Sequence, residues 1–146
     1  MPEHDALTDF RATIGLPIQW GDMDAFNHVN NVVYFRWLES SRIKYLEEAG
    51  MRDLMTAHQL GPILAAVDCS YKRQLEYPGS VTIGARVTKL GRTSLTVAHR
   101  IVNDQTSEIA AEGESVIVIF DFENQRPVRM PKDVKESVFD YQGPLD

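Results

Sequence analysis

The stretch that decides the fold is Asn30–Gly50, which reads NNVVYFRWLESSRIKYLEEAG. Its apolar residues recur at threes, fours and their multiples, with charged residues on the other faces. These apolar positions are Phe35, Leu38, Leu46 and Ala49. An asparagine at the start can accept a bond from an unpaired backbone N–H, and the final glycine suits a helix C terminus. The pattern predicts one long helix over residues 31–49, about 30 Å in length.

Most of the remaining chain has the signals of strands. The candidate strands are Phe10–Gln19, Pro62–Glu76, Ser80–Leu90, Thr93–Asn103 and Glu108–Phe122. Apolar residues alternate with polar ones within them, and turn residues separate the last four. Adjacent runs with tight turns predict an antiparallel meander. Shorter helices are expected near Arg52–Gln59 and over Pro131–Tyr141, where the proline suits a first turn.

One long helix and several long strands predict an α+β fold, with an antiparallel sheet wrapped around one long central helix. At 146 residues the chain is expected to form a single domain, 1–146, with residues 1–9 as a loose polar leader. One helix cannot cover a sheet of strands this long. We therefore expect two chains to pair, as a homodimer or within a homotetramer.

Composition narrows the classes of function. The formal charge is −6 and the basic residues are scattered, which argues against a nucleic-acid partner. No apolar stretch reaches the roughly 20 residues that a bilayer requires, and the acidic, polar start does not resemble a secretory signal. The single cysteine, Cys69, fits a reducing compartment. These features predict a cytoplasmic protein without a membrane partner.

The chemistry is concentrated in the loop before the long helix, residues 21–31, which reads GDMDAFNHVNN. It holds two carboxylates, a histidine and three asparagines. A helix start presents unpaired N–H groups that can stabilise a carbonyl oxygen as it becomes negative. A carboxylate beside it can attack the carbonyl or take a proton from water. By composition alone, however, Asp, Asn and His are also the usual residues of loops and caps.

The same region carries a family resemblance. WGDMD at 20–24, HVNNVVY at 28–34, and then Trp37, Glu39 and Arg42 resemble the signature of the 4-hydroxybenzoyl-CoA thioesterase-like family of hotdog proteins. The resemblance continues through the strands to about Phe120. It implies a hotdog fold and an acyl-CoA thioester hydrolase, acting on CoA or acyl-carrier-protein thioesters, that needs neither a metal nor an organic cofactor.

The resemblance also implies roles for particular residues. Asp24 matches the family's catalytic carboxylate, and Asp22 is then a supporting residue. The backbone N–H that polarises the thioester carbonyl falls near Asn31. His28 matches a histidine that can orient water or the carboxylate, although a purely structural role in the turn is equally open. Related plant acyl-carrier-protein thioesterases place an asparagine two residues after the aspartate, whereas this chain has Phe26 there and Asn27 beside it, which argues against their Asp-Asn-His arrangement. The family pattern also leaves open whether Asp24 is a nucleophile or a general base.

The parts of a site that would hold the substrate are less distinct. Tyr34, Trp37 and Tyr71 can line an acyl or aryl pocket, although aromatic residues at helical spacing more often belong to a core. Several cations near strand ends are candidates for the CoA phosphates, and Arg92 is favoured because its turn resembles one near the CoA path of the family. The other candidate cations are Arg73, Lys89, Arg126 and Arg129.

The same residues are also compatible with other functions. Cys69 and His28 can form a cysteine-dependent acyltransferase, but a lone cysteine in an apolar strand is usually inert packing. His28 and Asp24 can also serve a hotdog hydratase or dehydratase, which moves a proton at carbon. A non-catalytic module that binds acyl-CoA or acyl-carrier protein is a third possibility. The remaining histidines show no metal-ligand spacing.

Overall fold

The computed structural model describes residues 3–145 and contains an antiparallel sheet and three α-helices. The strands are β1 (Ala12–Ile18), β2 (Gly61–Tyr71), β3 (Gly79–Leu90), β4 (Ser94–Asn103), β5 (Ile109–Asp121) and β6 (Arg126–Pro127). The helices are α1 (Asn31–Glu48), α2 (Met51–Ala57) and α3 (Lys132–Gln142), with 3-10 turns at Asp5–Leu7 and Trp20–Asp22. No helix among the described residues is long and apolar enough to span a membrane.

The strand order is β1-β3-β4-β5-β2, with β6 paired to β5. The predicted meander is right for β3, β4 and β5 but wrong for β2, which lies at the opposite edge from β1. Residues 72–78 make this crossover past the start of α1, where Val29 donates its N–H to the carbonyl of Leu75 at 2.9 Å. The crossover therefore brings the end of β2 to the start of the helix.

Helix α1 begins and ends as its sequence predicts. The side chain of Asn30 accepts the N–H of Val32 at 3.0 Å, and Gly50 takes φ +74°, a left-handed conformation that favours glycine. The buried face differs from the predicted one: Phe35 and Ala49 are only partly buried, and residues beyond the predicted set are buried. The buried residues of α1 are Val33, Tyr34, Trp37, Leu38, Ser41, Tyr45 and Leu46.

Two apolar clusters fix α1 against the sheet, one towards each end of the helix. The first half packs Trp37 and Leu38 against strand residues such as Ile83. The second half packs Tyr45 and Leu46 into a cluster that includes residues of α2 and α3. Burial of each such side chain stabilises the fold by about 1.5 to 3 kcal/mol. Both ends of the helix are therefore held at fixed positions on the sheet.

The amino-terminal segment is more ordered than the predicted loose leader. Leu7 and Phe10 are buried against the sheet. Phe10 lies over Gly84, where an added Cβ would meet its ring at 2.6 Å. His4 is also buried and bonds Asp104 at 2.8 Å. The prediction of a loose leader is therefore wrong for His4 and Leu7, although most other residues of 3–9 are exposed. Residues 1 and 2 lie outside the described residues.

Candidate active site

The loop between β1 and α1 is a tight hairpin. Met23 and Val29 form an antiparallel bridge, and the N–H of Asp24 donates to the carbonyl of His28 at 2.9 Å. Asn27 closes the turn with φ +63°, a left-handed conformation that asparagine tolerates better than most residues. The backbone of Asp24 is thereby fixed just before the helix.

The carboxylate of Asp24 is oriented by two backbone amides. Its Oδ1 accepts the N–H of Phe26 at 2.8 Å and that of His28 at 3.3 Å. Within residues 3–145, Oδ2 accepts no bond. The side chain is partly exposed. One oxygen therefore anchors the carboxylate, and the other is available to react.

The first turn of α1 leaves one amide available. The side-chain oxygen of Asn30 accepts the N–H of Val32 at 3.0 Å, and its carbonyl accepts that of Val33 at 3.0 Å. The N–H of Asn31 has no hydrogen-bond acceptor in the described part of the chain. Because it lies at the positive end of the helix dipole, this amide can stabilise a negative oxygen.

Both groups lie on one cavity of about 590 Å³ between the loop, the first turns of α1 and the crossover after β2. Its lining residues are Asp24, Phe26, His28, Val29, Asn31, Tyr34, Tyr71, Lys72, Arg73 and Gln74. The rings of Tyr34 and Tyr71 pack edge to face with centroids 4.9 Å apart. Burial raises the pKa of Tyr34 to about 12, so its phenol stays neutral. The cavity thus joins an aromatic wall to a carboxylate and a free amide.

Most of the predicted site residues meet at this cavity, and two do not. The five that meet are Asp24, His28, Asn31, Tyr34 and Tyr71. Trp37 is only 2 % exposed and packs behind Tyr34, with ring centroids 5.3 Å apart. It belongs to the core. Arg92 lines a different pocket, beyond the far end of β3.

Some residues that line the cavity were not predicted from the sequence. Lys72 and Gln74 line the cavity from the crossover, and Arg73, proposed only as a phosphate contact, lies between them. Glu76 lies next to a lining residue, with its Oε1 3.8 Å from Nε2 of His28. The signal was a polar, charged run directly after the strand that carries Tyr71, but its position beside α1 depends on the crossover of the sheet.

Cys69 has the properties of a packing residue. It is partly buried in β2, and burial raises the pKa of its thiol, so little thiolate forms near neutral pH. It does not line the cavity of Asp24. Among the residues that the structure describes, no three His, Cys, Asp or Glu side chains are grouped to hold a metal ion.

Comparison with known proteins assigns the chain to a family. The model of the Thioesterase-like superfamily matches residues 18–138, and the chain belongs to that superfamily. It is thus a thioesterase with the hotdog fold, which confirms the predicted class of enzyme and the predicted fold.

Two relatives illustrate the similarity. The long-chain acyl-CoA thioesterase FadM of Escherichia coli is 23% identical over 116 residues, which cover 80% of this chain and 88% of FadM. A thioesterase of Thermus thermophilus, solved with coenzyme A and Zn, is 27% identical with a TM-score of 0.79. That comparison covers 94% of this chain and 98% of the Thermus chain.

The fold extends to more distant proteins. The DHNA-CoA thioesterase of Staphylococcus aureus is 18% identical, with a TM-score of 0.77 over 90% of this chain and 96% of that one. At this identity the similarity concerns the fold alone.

Proposed function

We propose that this thioesterase hydrolyses acyl-CoA to a free carboxylic acid and CoA, with Asp24 as the reacting carboxylate. One observation carries the proposal: Asp24, whose Oδ2 accepts no bond among the described residues, and Asn31, whose N–H has no acceptor there, line the same cavity. The names of the relatives support the substrate, since FadM is a long-chain acyl-CoA thioesterase and the Thermus thioesterase binds coenzyme A.

Two routes use these groups. In the first, Oδ2 of Asp24 attacks the thioester carbon, the carbon–sulfur bond breaks, and CoA leaves as a thiolate that takes up a proton. Water then hydrolyses the acyl anhydride and restores the carboxylate. In the second, Asp24 takes a proton from water, the hydroxide adds to the carbon, and the proton passes to the leaving sulfur. Either route consumes one water and releases one acid and one thiol.

The amide of Asn31 has the same task in both routes. The thioester oxygen becomes negative when the nucleophile adds to the carbon. An unpaired N–H fixed at the start of a helix can stabilise this charge without reorganising, and the helix dipole adds to the effect. His28 lies beside Asp24 and can hold the attacking water.

The phosphates of CoA require cations, and a basic pocket near the turn after β3 offers them. Arg92, Arg129, Lys132 and Lys135 line this pocket of about 770 Å³, and no acidic residue is among its described lining. It lies far from Asp24 in the same chain. Gly79 starts β3 beside the crossover, and Leu90 ends it about 37 Å away at the usual rise per residue.

We therefore propose that two copies pair and that each supplies the basic pocket for the other. Strand β2 is an unpaired sheet edge, and residues 61–67 carry no charge, although charges commonly protect such edges. Its Leu64 and Ala66 are exposed. A second β2 pairing antiparallel here would place the partner's Gly61 end beside Tyr71.

That arrangement brings the basic pocket to the cavity. Gly61 lies at the same end of the sheet as the start of β4, because Gly61 pairs with Phe120 and Ser94 with Val118. The turn that holds Arg92 precedes Ser94. A second copy reversed along β2 therefore turns its Arg92 towards the Asp24 of the first. The cytoplasmic location stays a prediction from the sequence.

The first experiment measures thiol release from short, medium, long and aryl acyl-CoAs. Asp24→Asn should lower kcat on the order of 10³-fold on every substrate that the wild type cleaves. Asp53→Asn, an exposed change on α2 at the other end of α1, is the matched control and should keep wild-type rates. Wild-type turnover by Asp24→Asn would contradict the proposal.

The outcomes also separate the rival functions. Hydration of enoyl-CoA without thiol release would favour a hydratase. Tight acyl-CoA binding without turnover, also seen with acyl-carrier-protein thioesters, would favour a binding module.

Mixing two defective variants tests the shared site. Asp24→Asn lacks the carboxylate, and Arg92→Ala should raise KM for acyl-CoA. Random exchange of equal amounts of the two variants makes about half of the dimers mixed. If Arg92 acts across the interface, each mixed dimer has one site with both Asp24 and Arg92 intact. About a quarter of all sites then regain wild-type KM. No regain of such sites in mixtures that have exchanged subunits would contradict the shared site.

A further inference from the structure

A buried carboxylate beside the site, that of Asp22, joins three parts of the chain. Its Oδ2 accepts the N–H of Gln19 at 2.8 Å, and its Oδ1 accepts Nη2 of Arg36 at 2.9 Å. Its backbone carbonyl accepts the N–H of Asn30 at 2.9 Å. Asp22 therefore connects the residue before the loop, the residue that caps α1, and the helix itself.

Arg36 is the cation that compensates this carboxylate. The side chain of Asp22 is only 5 % exposed, whereas that of Arg36 is 57 % exposed and reaches it from the second turn of α1. A buried carboxylate without a partner is unfavourable, and charge-assisted bonds have narrow geometry. Loss of Arg36 should therefore shift Asp22, and the loop with it, rather than leave it in place.

The loop and the helix supply the two reacting groups separately. Asp24 belongs to the hairpin that follows Asp22, and Asn31 is the first residue of α1. The only ion pair that joins the loop to the helix, among the described residues, is that of Asp22 with Arg36. Arg36 is not among the residues that line the cavity.

We propose that Arg36 is a positioning residue that, through Asp22, fixes the distance between the Asp24 carboxylate and the Asn31 amide. This inference rests on the proposed function. A shift of about 1 Å between reacting groups can cost roughly 100-fold in rate while substrate affinity changes little. Arg36 thus acts on the chemical step and not on binding.

The test compares Arg36→Ala with Arg36→Lys and a matched control, Lys44→Ala. Lys44 forms an exposed ion pair with Glu48 at 3.0 Å on the same helix, far from the loop. We expect Arg36→Ala to lower kcat roughly 10- to 100-fold with KM within about two-fold of wild type. Arg36→Lys should recover part of kcat, because it keeps the charge, and Lys44→Ala should change neither constant.

Two further measurements separate positioning from general stability. Amide exchange at Phe26 and His28, whose N–H groups hold Asp24, should speed up in Arg36→Ala and stay unchanged in Lys44→Ala. Asp22→Asn should lower kcat similarly, and the double variant should be little worse than the poorer single one, since both break the same contact.

The results that overturn the proposal are distinct from failure of the proposed function. If Asp24→Asn loses activity while Arg36→Ala keeps wild-type kcat and wild-type amide exchange, Arg36 has no positioning role. If kcat, KM and Tm of Arg36→Ala change together and Arg36→Lys recovers nothing, its role is structural only. If Asp24→Asn itself keeps wild-type turnover, the proposed function fails first.

Discussion

Two polar regions along α1 differ in whether their polar atoms have hydrogen-bond partners. At the start of the helix, an oxygen of Asp24 and the N–H of Asn31 have no partner among the described residues, and both residues line a cavity. Midway along it, His99 is 2 % exposed and both ring nitrogens are bonded, to Ser41 at 3.0 Å and Ser115 at 2.9 Å. A polar group kept available at a cavity indicates chemistry, whereas one that is buried and fully bonded indicates structure.

The largest expected loss of stability comes from disrupting the buried His99 network. His99→Ala removes a packed ring and leaves two buried serine hydroxyls without partners, so we expect the free energy of unfolding to fall by about 3 kcal/mol. Urea denaturation measures this. His58→Ala, which removes an exposed pair with Asp133, is the control and should cost less than about 1 kcal/mol. Equal losses in the two variants would contradict a structural role for the His99 network.

The second effect is the pH dependence of stability. Burial, with a smaller contribution from Arg42, lowers the pKa of His99 to about 3 from the ordinary 6.5. Between these values the unfolded chain binds the proton and the folded chain does not, so acidification favours unfolding. Stability should fall by up to about 1.4 kcal/mol per pH unit below pH 6.5.

Between pH 6.5 and 5 the effect of His99 protonation on stability is separated from that of carboxylates, which take up protons at lower pH. Asp104 is one of these: despite its burial, hydrogen bonds from Ser80, Thr82 and His4 lower its pKa. The comparison is between wild type and His99→Gln, which cannot titrate. Parallel slopes of the two proteins in this range would contradict the assignment.

The third effect concerns the cap that leaves the Asn31 amide free. Asn30→Ala removes the acceptor of the Val32 N–H and should cost about 1 kcal/mol of stability, measured by thermal unfolding. Asn30→Asp keeps an acceptor at the helix start and should stay near wild type. If both variants lose the same stability, the cap is not the cause.

The smallest effect is expected at Cys69. Because burial raises the pKa of its thiol and it lies outside the cavity, Cys69→Ala should keep kcat within about two-fold of wild type. Its thiol should also label more slowly than glutathione at pH 7. A collapse of thiol release in Cys69→Ala would restore the cysteine mechanism as a rival.

The sequence was most informative where the site is local along the chain. Asp24, His28 and Asn31 lie within eight residues, so one hairpin and one helix start bring them together. Their functional roles stay predictions. The caps of α1 could also be predicted, because Asn30 and Gly50 affect only the helix turn next to them in the sequence.

The parts that were missed depend on distant pairings. Lys72 and Gln74 reach the cavity only because β2 pairs with β5 and the chain then crosses to β3. Trp37 has the same helical spacing from Tyr34 whether it faces a pocket or the core, so spacing could not decide between them. The packing of Phe10 likewise depends on Gly84, and Leu7 and Phe10 share a cluster with Val102, both far along the chain.

The most direct measurement determines kcat and Tm together for Asp24→Asn and His99→Gln, with thiol release assayed well below both melting temperatures. We expect opposite losses: Asp24→Asn loses kcat on the order of 10³-fold and keeps its Tm, whereas His99→Gln loses Tm and keeps kcat within about three-fold. A wild-type kcat in Asp24→Asn would contradict its role as the reacting carboxylate. A loss of kcat in folded His99→Gln as large as that in Asp24→Asn would contradict a purely structural role for His99.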